Sequence, residues 1–159
     1  MNTWLKKTAK WAVLSMIVAC GGNTQDPATY NNELMTTINS NEQHITDMNA
    51  AMNAGDYDKA SEVRKTWEEA LKEQQEKVEN MGDFDGDNSL QQGVLAGLAA
   101  YQKIVKEDYV KLIEIRSQGV DDAAAETTAL NNINNAFEEA ANAVNEAGAE
   151  FEKKYANPQ

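Results

Sequence analysis

Residues 28–157 contain no proline; the chain's two prolines, Pro27 and Pro158, stand at either end of that stretch. A proline inside a helix costs about 3 kcal/mol, so a stretch of this length without one leaves long helices open. The residues that fill it are helix formers, chiefly Ala, Glu, Lys, Gln and Asn. Apolar positions recur at spacings of three and four along the whole segment, and no strand-length run alternates with period two. The chain therefore predicts an all-α fold.

Turn and cap residues divide that stretch into four predicted helices. Asp26 is placed as N-cap of the first, with Pro27 at the first helical position, where a missing N–H costs nothing. Its apolar stripe is Tyr30, Leu34, Ile38, Ile45, Met48 and Met52, and Gly55 ends it. Asp56 caps the second, which turns Tyr57, Ala60, Val63, Trp67, Leu71, Val78 and Met81 inward until Gly82. Residues 83–89 form the one long loop, with Asp87 or Ser89 capping the third helix. That helix has the widest apolar face: Leu90, Val94, Leu98, Tyr101, Val105, Tyr109 and Leu112, broadened by Leu95, Ile104 and Ile113. Gly119 closes it. Asp121 or Asp122 opens the fourth, whose stripe is Leu130, Ile133, Phe137, Ala140, Val144, Phe151 and Tyr155.

Helices of about 25 to 35 residues, at about 1.5 Å per residue, are rods near 40 to 50 Å long. Short connections between such rods place neighbours antiparallel, and an up-down-up-down four-helix bundle is the expected arrangement. Gly93 and Gly97, with Ala96, Ala99 and Ala100, mark where another helix can approach closely. Packing within one chain is expected there rather than a dimer seam, and the protein is expected to be a monomer.

The N-terminus has a different character. Lys6, Lys7 and Lys10 precede an apolar run, Trp11 to Ala19, that is too short to span a bilayer permanently; this is the layout of a secretory signal peptide. Ile17-Val18-Ala19-Cys20 resembles the lipobox of bacterial lipoproteins. The resemblance implies cleavage after residue 19 and lipidation of Cys20, the only cysteine. Several acyl chains, at about 0.8 kcal/mol per buried CH₂, make such an anchor effectively permanent. The organisation read from the chain is a signal peptide over 1–19, a lipidated cysteine and flexible tether over 20–25, and a helical domain over 26–159. Gly21, in place of an aspartate, points to the outer membrane, with the cell surface favoured over the periplasmic face.

Without its first 19 residues the chain loses three lysines and no acid, leaving 11 basic residues against 26 acidic ones and a net charge of −15. A phosphate backbone needs a basic face, so no nucleic-acid partner is expected. The acidity is read first as serving solubility, with attraction of a cationic partner or a divalent metal as the alternative. Asp83, Asp85 and Asp87 are the metal candidates, but an EF-hand counted from Asp83 needs Gly and Glu where Asn88 and Val94 stand. A loop built from helix caps is the favoured alternative. Gly55-Asp56-Tyr57 looks like a tetratricopeptide turn, but no second copy follows. The single histidine, His44, lies beside the first helix's stripe as a flank residue. It leaves di-iron, covalent-haem, catalytic-zinc and triad chemistry without their parts, and its place off the stripe disfavours a His–Met site for non-covalent haem. No catalytic residue and no cofactor is assigned.

Asp26-Pro27-x-x-Tyr30-Asn31, Phe84-x-Gly86-Asp87-x-Ser89-Leu90 and Tyr101-x-x-Ile104, behind a lipobox, resemble a group of small helical bacterial surface lipoproteins. The resemblance implies an α-bundle at the outer-membrane surface and carries over no activity or binding residue. The expectation is a non-enzymatic lipoprotein that presents an acidic bundle for protein interaction. A bundle holding a small ligand or a divalent metal is the first alternative, and an enzyme of unrecognised type the second. A pocket lined by Trp67, Tyr101 and Tyr109 would favour a ligand.

Overall fold

The punctuation read from the sequence sets most of the helix ends. A computed structural model describes residues 25–119 and 122–155. Asp26 Oδ2 accepts from Thr29 N at 3.0 Å and starts α1, Pro27–Asn39. Asp56 Oδ1 accepts from Lys59 N at 2.9 Å and starts α3, Tyr57–Met81, immediately after Gly55 ends the preceding helix at φ 68°. Asp122 Oδ1 accepts from Ala125 N at 3.0 Å ahead of α6, Ala123–Tyr155. Asp121, its rival as cap, lies outside the described residues. Every element among the described residues is helical, in a bundle-like packing around one core.

The first predicted rod is not continuous. It breaks at Ser40 and Asn41 into α1 and α2, Glu42–Ala54. Asn41 is fully buried and holds the break from inside. Its Nδ2 donates to Ile38 O at 2.9 Å and to Gln74 Oε1 at 2.8 Å, and its Oδ1 accepts from Trp67 Nε1 at 2.7 Å. Gln74 Nε2 returns to Ser40 Oγ at 3.0 Å. A buried indole N–H requires an acceptor, and a helix end leaves carbonyls without donors; one carboxamide answers both needs. Apolar periodicity runs straight through this point because the break keeps the buried face on one side.

The third rod carries a second irregularity. α4, Ser89–Lys103, runs into a π-helical turn over Ile104–Asp108 before α5, Tyr109–Ser117. Tyr109 N donates to Ile104 O, five residues back, and Arg64 Nη1 on α3 donates to Val105 O at 3.2 Å. A π turn adds a residue to the helical turn and rotates the side chains beyond it by roughly 100°. Ile104, Val105, Asp108, Tyr109 and Leu112 are all buried along this segment.

The most extensive helix contact joins α4 to α6. It depends on the small residues singled out above. A Cβ at Gly93 would collide with Ala147 Cβ and stand 2.9 Å from Ala143 O, and one at Gly97 would stand 2.8 Å from Val144 Cγ2. To meet those glycines α6 turns Ala129, Ile133, Ala136, Ala140 and Val144 inward. That phase differs from the predicted stripe: Leu130 is 36% exposed and Phe137 only half-buried. Leucine and phenylalanine are the more hydrophobic choices, but alanine is what a close backbone approach admits.

Gly93→Ala is expected to destabilise the fold by about 1–3 kcal/mol despite its better helix propensity, because a backbone carbonyl cannot move aside. Gly148→Ala, with nothing within 4 Å of the added methyl, should stabilise by about 0.5–1 kcal/mol. Urea denaturation of the two variants reads the opposite signs. Asn41→Ala, which strands the Trp67 indole N–H, is expected to cost about 1–3 kcal/mol, and a much smaller loss would place the origin of the break elsewhere.

Candidate functional site

Cys20, the proposed lipidation residue, lies outside the described residues. The three candidate metal ligands lie between α3 and α4, where the predicted long loop holds a tight hairpin. Phe84 and Asp87 exchange both backbone hydrogen bonds at 2.9 Å. The two residues between them, Asp85 at φ 51° and Gly86 at φ 82°, both lie in the left-handed region. Asp-Gly is the sequence signature of such a turn, so the hairpin was legible in Phe84-Asp85-Gly86-Asp87.

The hairpin gives the three carboxylates separate surroundings. Asp83 Oδ1 accepts from Gly86 N at 2.8 Å, and Asp85 is exposed at the turn. Asp87 Oδ1 accepts from Ser89 N at 2.9 Å, while its Oδ2 accepts from Lys154 Nζ at 2.7 Å and from Tyr155 OH at 3.3 Å. Among the described residues no group of three or more His, Cys, Asp or Glu side chains is arranged to hold a metal ion. The N-cap position of α4 falls on Asn88, whose side chain makes no cap bond, and Ser89 is the first helical residue. Asp87 instead serves the first N–H of the helix and ties it to the end of α6.

Aromatic rings fill the space beneath the hairpin. Phe84, 3% exposed, has its ring 5.3 Å from Tyr30, 5.3 Å from Phe151 and 4.9 Å from Tyr155. Tyr30 OH donates to Gly82 O at 2.6 Å. Burial, with Asp83 and Asp87 nearby, pushes the Tyr30 hydroxyl up to about 12. The hydrogen bond from Lys154 and those from Ser89 hold the Asp87 carboxyl far below the usual carboxylate range. Lys154 is raised in turn, chiefly by its bond to Asp87.

The other sequence candidates are sorted by packing. Trp67, Tyr101 and Tyr109 come together as packed rings, with Tyr101 and Tyr109 6.0 and 6.3 Å from the indole, and they do not enclose a shared pocket. His44 is half-buried, not a free flank residue: its ring stacks on Trp67 at 6.1 Å with 9° between planes. The π turn adds a residue the periodicity concealed. Asp108 is 1% exposed, and its Oδ2 is buried without a hydrogen-bond partner. Its neighbours Lys106 and Glu107 are exposed, and the π turn places Asp108 inward.

Three recesses stand out on the surface. About 510 Å³ lies between α3 and the α4–π segment, walled by Lys65, Glu68, Glu69, Lys72 and Lys106 and closed at one end by the Gln102–Gln75 hydrogen bond of 2.7 Å. About 310 Å³ lies outside the α5–α6 contact, beside Lys111, Ile115 and Asn132. About 320 Å³ opens between α2, α5 and α6 and reaches core residues Met52, Tyr109, Leu112 and Ile133. No helix among the described residues is long and apolar enough to cross a membrane. No protein-family model, curated protein or solved structure matches this chain.

The Asp87 junction has a definite pH signature. A carboxylate whose pKa is lowered on folding stabilises the fold above its unfolded value of about 3.9, and that contribution is lost as pH falls toward the lowered value. Wild-type protein should therefore lose stability between about pH 5 and pH 2, and Asp87→Asn should lose less over the same interval. At pH 7, Asp87→Ala is expected to cost about 1 kcal/mol through the bond to Ser89 N. Thermal melts across that pH range check both. Parallel acid limbs in wild type and Asp87→Asn would remove Asp87 from the account.

Proposed function

We propose that this protein is a non-enzymatic, lipid-anchored lipoprotein of the bacterial outer membrane. Its helical domain is an antiparallel up-down-up-down bundle in which α1 and α2 form one broken limb. It presents an acidic surface to a cationic protein partner. The observation that supports the partner is the shortage of internal neutralisation. Among the described residues only four ion pairs form: Lys59–Glu62, Arg64–Glu68, Arg116–Glu126 and Lys154–Asp87. Glu138, Glu139, Glu146, Glu150 and Glu152 are exposed along α6, and Glu69, Glu73, Glu76 and Glu79 along α3. Two long helices with unpaired carboxylates set up a negative potential that steers a basic partner and repels acidic neighbours.

The lipid anchor rests on the signal-like N-terminus and the Ile17–Cys20 segment. Five residues separate Cys20 from Asp26, which caps α1. In this reading the end of the domain holding Pro27, the Phe84 hairpin and Tyr155 lies nearest the lipid, and the turns at Gly55 and Gly119 face outward.

Cys20→Ser in the native host should abolish labelling by radioactive palmitate and release the protein from the detergent phase of a Triton X-114 partition. Continued labelling of the variant would overturn the anchor. Replacing Glu138, Glu139 and Glu146 with Lys should reduce chemical crosslinking to envelope proteins at least as much as about 0.5 M salt does, since salt at that level screens beyond a few ångströms. Crosslinks that survive both treatments would overturn the electrostatic reading of the partner.

A further inference from the structure

We infer that the cleft between α2, α5 and α6 is a binding site for a small neutral molecule with an apolar ring body and hydrogen-bonding edges. The cleft exists because of the two helix irregularities. Asn41 turns the chain so that α2 packs chiefly on α3, while α6 packs on α4 and α5; neither covers the seam between them. The π turn then sets the phase of α5, which brings Tyr109, Leu112 and Arg116 to the floor of that seam. The space of about 320 Å³ lies at the lower end of the range for small-molecule sites, enough for a molecule of two or three rings.

The lining specifies the chemistry. Met52, Leu112, Ile133 and the ring of Tyr109 belong to the core and show only their edges at the floor, so the open surface of the cleft is more polar than apolar. Phe137 is half-buried at the wall, and Leu130 is 36% exposed at the rim, where an apolar ligand would cover it. The α6 phase that satisfies Gly93 and Gly97 is what leaves both residues facing this cleft. Asn49, Asn53 and Asn134 ring the mouth. Each carboxamide offers donors and an acceptor, so together they match amide, hydroxyl or ring-nitrogen edges rather than a charge.

The charge balance selects a neutral ligand. Arg116 is the single basic residue in the lining, and its Nε and Nη2 reach Glu126 Oε1 at 2.8 and 2.7 Å. Its charge is matched before any ligand arrives. An anion would also meet the field of a chain with a net charge of −12, and a fixed cation would meet the guanidinium. Tyr109, its hydroxyl pushed up to about 12 by burial, stays a neutral donor at physiological pH.

N-phenyl-1-naphthylamine, a neutral three-ring fluorophore with one N–H, is a suitable probe for the full chain. Wild type should show saturable fluorescence enhancement at one probe per chain. Asn134→Trp fills the cleft and Leu130→Asp places a charge at its rim. Both positions are exposed, so both variants should keep the wild-type helical circular dichroism and melting temperature. Each should weaken binding at least ~10-fold. Absence of saturable binding to wild type would overturn the site. So would equal enhancement in wild type and both folded variants, because the probe would then sit elsewhere, for instance on the apolar run 11–19. The two variants act by different means, so loss of fold in one leaves the other to decide. This site does not depend on the protein-partner reading: probe binding can fail while the crosslinks remain, and the reverse.

Discussion

A single buried hydrogen bond, from the indole of Trp67 to the carboxamide of Asn41, organises much of what surrounds it. Trp67 is the largest side chain in the core and is completely buried, so its N–H has no recourse to water. Asn41 reaches it only by leaving the helix, and its own donors then go to Ile38 O and Gln74 Oε1. The polar requirement of one tryptophan thus decides where the first limb bends. The bend decides which neighbour α2 follows, and α2 on α3 leaves a seam open beside α6. Buried polar networks of this kind fix a unique arrangement where apolar contacts alone would accept several.

The α4–α6 seam imposes the opposite kind of constraint. Backbones there approach until no Cβ fits at Gly93, and alanines supply the facing surface. Dispersion between closely packed backbones replaces the burial of large side chains, and the larger residues of α6 are displaced toward the edge of the interface. Leu130 and Phe137 are the displaced residues. Their partial exposure follows from the register of the seam, and it lends an apolar wall to the one cleft that reaches the core beside Tyr109.

At the other end the acidic hairpin shows how a cluster of carboxylates can be structural. Asp83 and Asp87 satisfy backbone N–H groups of the hairpin and of the first residue of α4, and Lys154 joins α6 to the same point. The aromatic rings beneath account for the presence of Phe84 in so polar a segment. The negative charge left over lies on the outer faces of α3 and α6, spread along two long helices rather than gathered at one point.

The sequence by itself determined the all-α character, most helix ends and most of the core. Caps and glycines act over three or four residues and leave local marks, so Asp26, Asp56, Gly55 and Gly82 were legible without knowing what they pack against. The Asp-Gly hairpin is equally local, although the expectation there is a long loop of helix caps. The net negative charge is a matter of composition. Tertiary structure alone decided the break at Asn41, the π turn that buries Asp108, the stacking of His44 on Trp67 and the rotation of α6 toward alanine. Each of these follows from a demand made by a residue far away in the chain. An indole needs an acceptor 26 residues back, and two glycines on α4 need a smooth partner on α6. Periodicity records which face of a helix is apolar, but not how closely its neighbour approaches, and that distance sets the phase, the exposed edge and the cleft.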